Sequence, residues 1–224
     1  MHKLIWGIVE FRERLLPEYA ARFRDLVLAQ TPDALFITCS DSRVVPNLLA
    51  STEPGELFVM RNVGNLIPPA KANGRSSGDV SEASAIEYAL LALNVRHIVV
   101  CGHSECGAMK AALDPKGSPQ APNLAQWLDH ARPAAVRLSH DGPLDPSLAP
   151  HDQLSQLNVL TQIEHLLSYP IVEERVTAGE LTLSGWWFDI KTGEMHAYEA
   201  DRQRFQIIDR AEAERLIARL DGCA

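Results

Sequence analysis

The chain has 224 residues, 46% of them apolar and 22% charged, and a formal net charge of −8. That length suits one sizeable core, and the apolar fraction excludes a disordered chain. The acidic balance argues against nucleic acid or an anionic membrane as the main partner, since both reward a basic face.

In chain order, Leu4, Ile8, Phe11 and Leu15 recur at helical steps, and Pro17 is expected to interrupt that helix. Tyr19, Phe23 and Leu26 mark a second amphipathic piece. The apolar run at 4–9 contains Gly7, ends at Glu10 and is followed by no cleavage site. It is too short for a membrane span, and the expected compartment is the cytoplasm. Runs at 34–38, 57–60 and 95–101 are dense in apolar and branched residues, as suits strands buried on both faces of a parallel sheet. Helical spacing over 81–93 gives a strand–helix–strand crossover. A helix over 123–138 should be split by Pro133, another covers 151–167, and 211–220 is a last amphipathic helix. The turn Lys191-Thr-Gly-Glu194 joins two runs as a hairpin. The fold class is α/β: a mostly parallel central sheet flanked by helices, in a single domain over 1–224 with an N-terminal helical arm.

The chemistry-bearing residues fall where two of these strands end. One runs into Cys39-Ser-Asp41-Ser-Arg43, the other into Cys101-Gly-His103-Ser-Glu-Cys106-Gly107. Ligand sites of parallel sheets form beyond the carboxyl ends of strands. Two thiolates and one imidazole, Cys39, Cys106 and His103, make a zinc shell with a fourth position open to water, the catalytic pattern. Zinc lowers the pKa of such water from about 16 to about 7, supplying hydroxide. Asp41 and Arg43 alternate with Ser42, so both face one side if the segment is extended. Arg43 then holds Asp41 bidentately, and Asp41 accepts the hydrogen bond of the zinc-bound hydroxide. Cys101 is expected to pack in the sheet, and Cys223 to sit in a frayed terminus. The other histidines, His151 among them, show no ligand spacing.

This constellation resembles the β-class carbonic anhydrases. So do Glu53-Pro-Gly-Glu-Leu-Phe-Val59, Arg61-Asn-Val-Gly-Asn65, Ala85-Ile-Glu-Tyr-Ala89 and Leu183-Ser-Gly-Trp186. The resemblance implies zinc on Cys39, His103 and Cys106, a catalytic Asp41/Arg43 dyad, and hydration of carbon dioxide to bicarbonate. It implies a homodimer or a dimer of dimers, with the 1–28 arm on the partner subunit. The family has a closing variant, in which the aspartate (here Asp41) binds zinc and bicarbonate sits against a tryptophan, an arginine and a tyrosine. Those three positions read Phe36, Arg61 and Phe188. The open variant has a substrate-binding glutamine, matched by Gln30, and an apolar wall, matched by Phe58, Val63 and Tyr88. The resemblance therefore implies the open variant. Hydrolysis of a related heterocumulene such as carbon disulfide stays as an alternative activity, and a non-enzymatic zinc protein as an alternative class.

Overall fold

The strand Ala34–Cys39 (β1) buries all six of its side chains, because it lies between two parallel neighbours and under helices on one face. Leu57–Asn62 (β2) pairs on one side of it and His97–His103 (β3) on the other, both parallel. Thr182–Asp189 (β4) adds a further parallel strand, and Glu194–Glu199 (β5) and Arg204–Ile207 (β6) close the sheet antiparallel. The order is β2-β1-β3-β4-β5-β6. This computed structural model describes residues 1–114 and 120–221; Cys223 lies outside them.

Alternation decides the two faces of β1 and β3. Leu35, Ile37, Ile98 and Val100 enter the main core with Ile86 and Leu90 of Ser81–Leu91 (α4). Phe36, Val99 and Cys101 form a second cluster with Val44 and Phe188. Cys101 packs there fully buried, its thiol pushed up to about 12 by burial. The edge strand β2 is only half-buried, so the expectation of burial on both faces fails there. An edge strand has one neighbour, and β2 is covered by α4, where Phe58 meets Tyr88 at 5.7 Å.

The N-terminal helix is not interrupted at Pro17. Helices His2–Glu10 (α1) and Leu16–Leu26 (α2) are continuous through a π-turn at Phe11–Leu15. Proline near the start of α2 lacks an N–H for the regular ladder, and the preceding turn widens so that Leu16 N–H reaches the Phe11 carbonyl. Pro46–Leu49 (α3) and Gly107–Ala112 (α5) are short helices just past β1 and β3. Pro133 does split its helix: Pro122–Leu128 (α6) passes through a 3-10 turn into Arg132–Asp141 (α7).

Helix Pro150–Leu167 (α8) backs the site. It packs on β3 and β4 where they carry glycine: a Cβ on Gly102 would stand 2.8 Å from Val159 Cγ2 and 3.1 Å from Ser155 Oγ, and one on Gly185 would stand 3.0 Å from Val159 Cγ1. Its polar residues Asp152, Ser155, Gln156, Asn158, Thr161 and Gln162 are buried. Ser155 Oγ donates to the His103 carbonyl at 2.9 Å, Asn158 Nδ2 to the Gly64 carbonyl at 3.1 Å, and Ile67 N–H donates to Gln162 Oε1 at 2.7 Å. Helix Pro170–Thr177 (α9) follows at once. The last helix, Arg210–Asp221 (α10), is tied to the sheet by the fully buried Glu199 of β5, which pairs with Arg215 and, at 2.6 Å, with Arg219.

No helix among the described residues is long and apolar enough to cross a membrane.

Gly102→Ala is expected to destabilise the protein by about 1–3 kcal/mol, because the added methyl meets α8 with no room to move. Gly107→Ala, where nothing lies within 4 Å of the added atom, should be neutral or slightly stabilising. Urea denaturation of the two variants checks the contrast.

Candidate metal centre

The register of β1 and β3 sets Thr38 beside Cys101, so Cys39 and His103 emerge together at the carboxyl edge of the sheet. The chain then turns sharply. Glu105 takes a positive φ of +58°, and this brings Cys106 back under His103. The sulfurs of Cys39 and Cys106 and an imidazole nitrogen of His103 all lie within 4.8 Å of one another, and all three residues are buried.

The ring of His103 is oriented by its neighbour: Nδ1 lies 2.8 Å from the Ser104 carbonyl, which can only accept, so Nδ1 carries the proton. Nε2 is left as a bare acceptor, buried, with no hydrogen-bond partner. A buried polar atom without a partner costs about 1–3 kcal/mol. A cation between Nε2 and the two sulfurs removes that deficit, and a ligating histidine fixed through its other nitrogen is the usual arrangement. The Cys39 thiol is pulled well below the usual thiol range, chiefly by the Cys106 thiol, with His103 and the Gly64 N–H at 3.3 Å adding to it against burial. Cys106 is pushed up by the same sulfur contact and by burial. The donor set and its shape fit zinc.

Asp41 and Arg43 do pair, but not through extended backbone. Residues 41–44 form a turn closed by Val44 N–H on the Asp41 carbonyl at 3.0 Å. Within it Arg43 curls back. Its backbone N–H and Nε donate to Asp41 Oδ1 at 3.0 and 2.9 Å, and Nη2 donates to Oδ2 at 2.8 Å. The same Nη2 reaches the Glu105 carbonyl at 3.1 Å, linking the two loops. The guanidinium holds the Asp41 carboxyl well below the usual carboxylate range. Asp41 Oδ2 ends 4.0 Å from His103 Nε2.

A family model described as carbonic anhydrase matches residues 34–195. The carbonic anhydrase of Synechococcus elongatus is 45% identical over 201 residues, 87% of this chain and 70% of that protein. The solved structure of the β-carbonic anhydrase CcaA superposes with a TM-score of 0.84 at 38% identity, covering 92% of this chain and 98% of that one. One of two tetrameric β-carbonic anhydrases from Sordaria macrospora superposes at 0.75 and 29% identity, covering 88% and 95%. The chain belongs to the β-carbonic anhydrase family.

The residues that the family resemblance marks for substrate divide between the two ends of the sheet. Val63 follows β2 at the carboxyl end, next to Gly64, whose N–H faces Cys39. Phe58 stands beside Leu35 in the register, four residues short of Cys39 and about 13 Å along the strand. Tyr88 is with it on α4, and the exposed Gln30 precedes β1 altogether. Within one chain, then, Val63 lies near the Cys/His/Cys group and Gln30, Phe58 and Tyr88 do not. Arg61 donates from Nε to the Cys39 carbonyl at 3.1 Å and from Nη2 to the Asp41 carbonyl at 2.8 Å. Phe36 and Phe188 are buried in one apolar cluster.

Sequence spacing passed over His151, which has no ligand-like neighbour in the chain. In this β-carbonic anhydrase its Nε2 lies 3.3 Å from Glu105 Oε1 and 3.6 Å from Asp152 Oδ1. Lys110 also pairs with Glu105. Asp152 Oδ1 accepts the Glu105 N–H at 2.6 Å, so this cluster pins the sharp turn between His103 and Cys106.

Arg43→Met is expected to return Asp41 to titration at about 4. In the parent the depressed pKa gives stability that is present above the unfolded value and lost as pH falls through the folded one. The variant should lack that acid-side loss. Carboxyl NMR of Asp41 against pH reads the shift directly, and an unchanged titration would contradict the assigned cause.

Proposed function

We propose that this β-carbonic anhydrase hydrates carbon dioxide reversibly to bicarbonate and a proton at one zinc ion held by Cys39 Sγ, His103 Nε2 and Cys106 Sγ. The observation that carries the reading is the partnerless, buried His103 Nε2 beside two sulfurs, with an ionised Asp41 4.0 Å away. Zinc, when bound, acts as a Lewis acid and lowers the pKa of water at the site to about 7.

The chain's own residues do the rest. Asp41, kept ionised and fixed by both arms of Arg43, is an acceptor only. It takes the hydrogen bond of the attacking oxygen and so turns a lone pair toward the carbon. Arg61, by holding the carbonyls on either side of Ser40, keeps Cys39 and Asp41 in mutual register. Val63 offers an apolar wall to an apolar substrate. Gln30 donates an amide N–H to the substrate oxygen on which charge develops.

Gln30, Phe58 and Tyr88 serve the metal site of a second copy, because they lie at the opposite end of their own sheet. A homodimer, or a dimer of dimers, supplies that copy. The reading is supported by the arm over residues 1–28, where Leu4, Ile5, Trp6 and Ile8 are more than half exposed in a single chain. Such a contiguous apolar surface needs a partner. The tetramers named for Sordaria macrospora point the same way.

The site works as the open variant. Asp41 stays on Arg43 rather than on zinc, and no bicarbonate pocket forms, since Phe36 and Phe188 donate no hydrogen bond and Arg61 is committed to backbone carbonyls. Added bicarbonate is therefore expected to leave the pH profile of activity unsharpened.

The purified protein is expected to carry one zinc per chain and to hydrate carbon dioxide in stopped-flow assays. Cys106→Ser should lose metal and activity together. Asp41→Asn should keep zinc yet lose activity by about 10²-fold or more, the range typical of a lost proton-handling group. Full hydration activity in a metal-free protein would sink the proposal. Loss of zinc in Asp41→Asn, with normal activity per remaining metal, would make Asp41 a ligand instead.

A further inference from the structure

Beside the Cys/His/Cys group, at the carboxyl ends of β1 and β2, lies a recess of about 500 Å³. Ser40, between Cys39 and Asp41 in the chain, forms part of its wall, and so does Val63. The other walls include Leu124 and Trp127 of α6 and two carboxylates, Asp79 and Glu82, at the start of α4. No cationic side chain lines it among the described residues.

Glu82 is the unusual member. It is 7% exposed. Asn62 Nδ2 donates to its Oε1 at 3.2 Å, but Oε2 is buried and has no hydrogen-bond partner. Burial, and then the nearby Asp79, push its pKa up. Asp79 Oδ1 accepts the Ser81 N–H at 2.7 Å, and Asp79 has no ion-pair partner among the described residues. Trp127 spends its own N–H on the Val63 carbonyl at 2.7 Å, so toward a ligand it offers only its ring. An under-coordinated buried carboxylate, a second carboxylate and an indole ring together suit a small organic cation with an N–H group. The N–H completes the carboxylate, and the cation gains from the aromatic ring and apolar walls.

We propose that this recess binds a small protonated nitrogen base, and that it is where the proton released by hydration leaves the enzyme. The second half of this rests on the hydration reaction proposed above. The balance is CO2 + H2O + B → HCO3⁻ + BH⁺. The new C–O bond forms from a water oxygen, one O–H bond of that water breaks, and its proton ends on the nitrogen lone pair of B. No oxidant or reductant is involved. The base enters neutral, and the two carboxylates hold it better once it is charged.

The probe is 1,2-dimethylimidazole, whose crowded nitrogen is a poor zinc ligand and whose protonated form carries one N–H. It is titrated into the metal-loaded, 15N-labelled protein, and the Trp127 indole N–H resonance, assigned by its loss in Trp127→Phe, is followed. A saturable shift is expected, weakened at least tenfold in Glu82→Gln and two- to threefold in Asp79→Asn, whose site is exposed and tolerant. Acetate should produce no shift. In hydration assays the rate should rise to a plateau with the same half-saturation as the NMR titration, and Glu82→Gln should need at least tenfold more base. Isotope exchange between carbon dioxide and bicarbonate at equilibrium needs no net proton export and separates the two readings. Absence of exchange in the parent protein would sink the hydration reading. Exchange with no saturable Trp127 shift, or with equal affinity in both carboxylate variants, would overturn the recess.

Discussion

The site depends on one contact: α8 lying so close on β3 and β4 that only glycine fits beneath it. The loops that flank the Cys/His/Cys group, 63–67 and 103–106, have few backbone partners of their own. Buried polar side chains of α8 supply them. Ser155 takes the His103 carbonyl, Asn158 the Gly64 carbonyl, Gln162 the Ile67 N–H and Asp152 the Glu105 N–H. Each bond has its length because Gly102 and Gly185 let the helix approach. A helix held even a little further out would leave those buried groups unpaired, each at a cost of about 1–3 kcal/mol. The polar stripe of α8 is thus a scaffold for loops, positioned by the absence of two side chains elsewhere.

Much of this was legible in the sequence, and what was not has physical reasons. Apolar runs ending in Cys39 and His103 mark strands whose ends can meet, because a strand announces itself by composition and its carboxyl end is where side chains converge. Lys191–Glu194 and Pro133 act locally, so their effects follow from local chemistry. What was missed comes partly from long-range context and partly from local geometry that departs from the simple rules. Nothing local in Asp152, Ser155, Asn158 and Gln162 says that loops between about fifty and a hundred residues away will meet them. Pro17 should break a helix by local rules, yet a widened turn absorbs it. Asp41 and Arg43 pair across a turn rather than along a strand, since Arg43 folds back on its own carboxylate. His151 meets Glu105 only because α8 crosses the end of β3.

Charge is handled differently in the two halves of the sheet. In the parallel half, Asp41 is held by Arg43 and stays partly exposed. In the antiparallel half, Glu199 is fully buried and clamped by Arg215 and Arg219 of α10. Breaking such a buried pair strands a charge, so that clamp fixes the C-terminal helix. The same residue types make a buried clamp at one end and a partly open pair at the other, and the difference is how far each carboxylate is buried.

The placement of Cys39 and His103 on separate parallel strands also bears on how the protein is made. The two residues lie 64 positions apart, with β2 and the α4 crossover between β1 and β3 in the chain. Contacts of such sequence separation form late and slowly. Metal therefore cannot organise this fold as it organises a zinc finger, where binding and folding are one event. The nascent chain must fold first, with the thiols of Cys39 and Cys106 open to oxidation until it does.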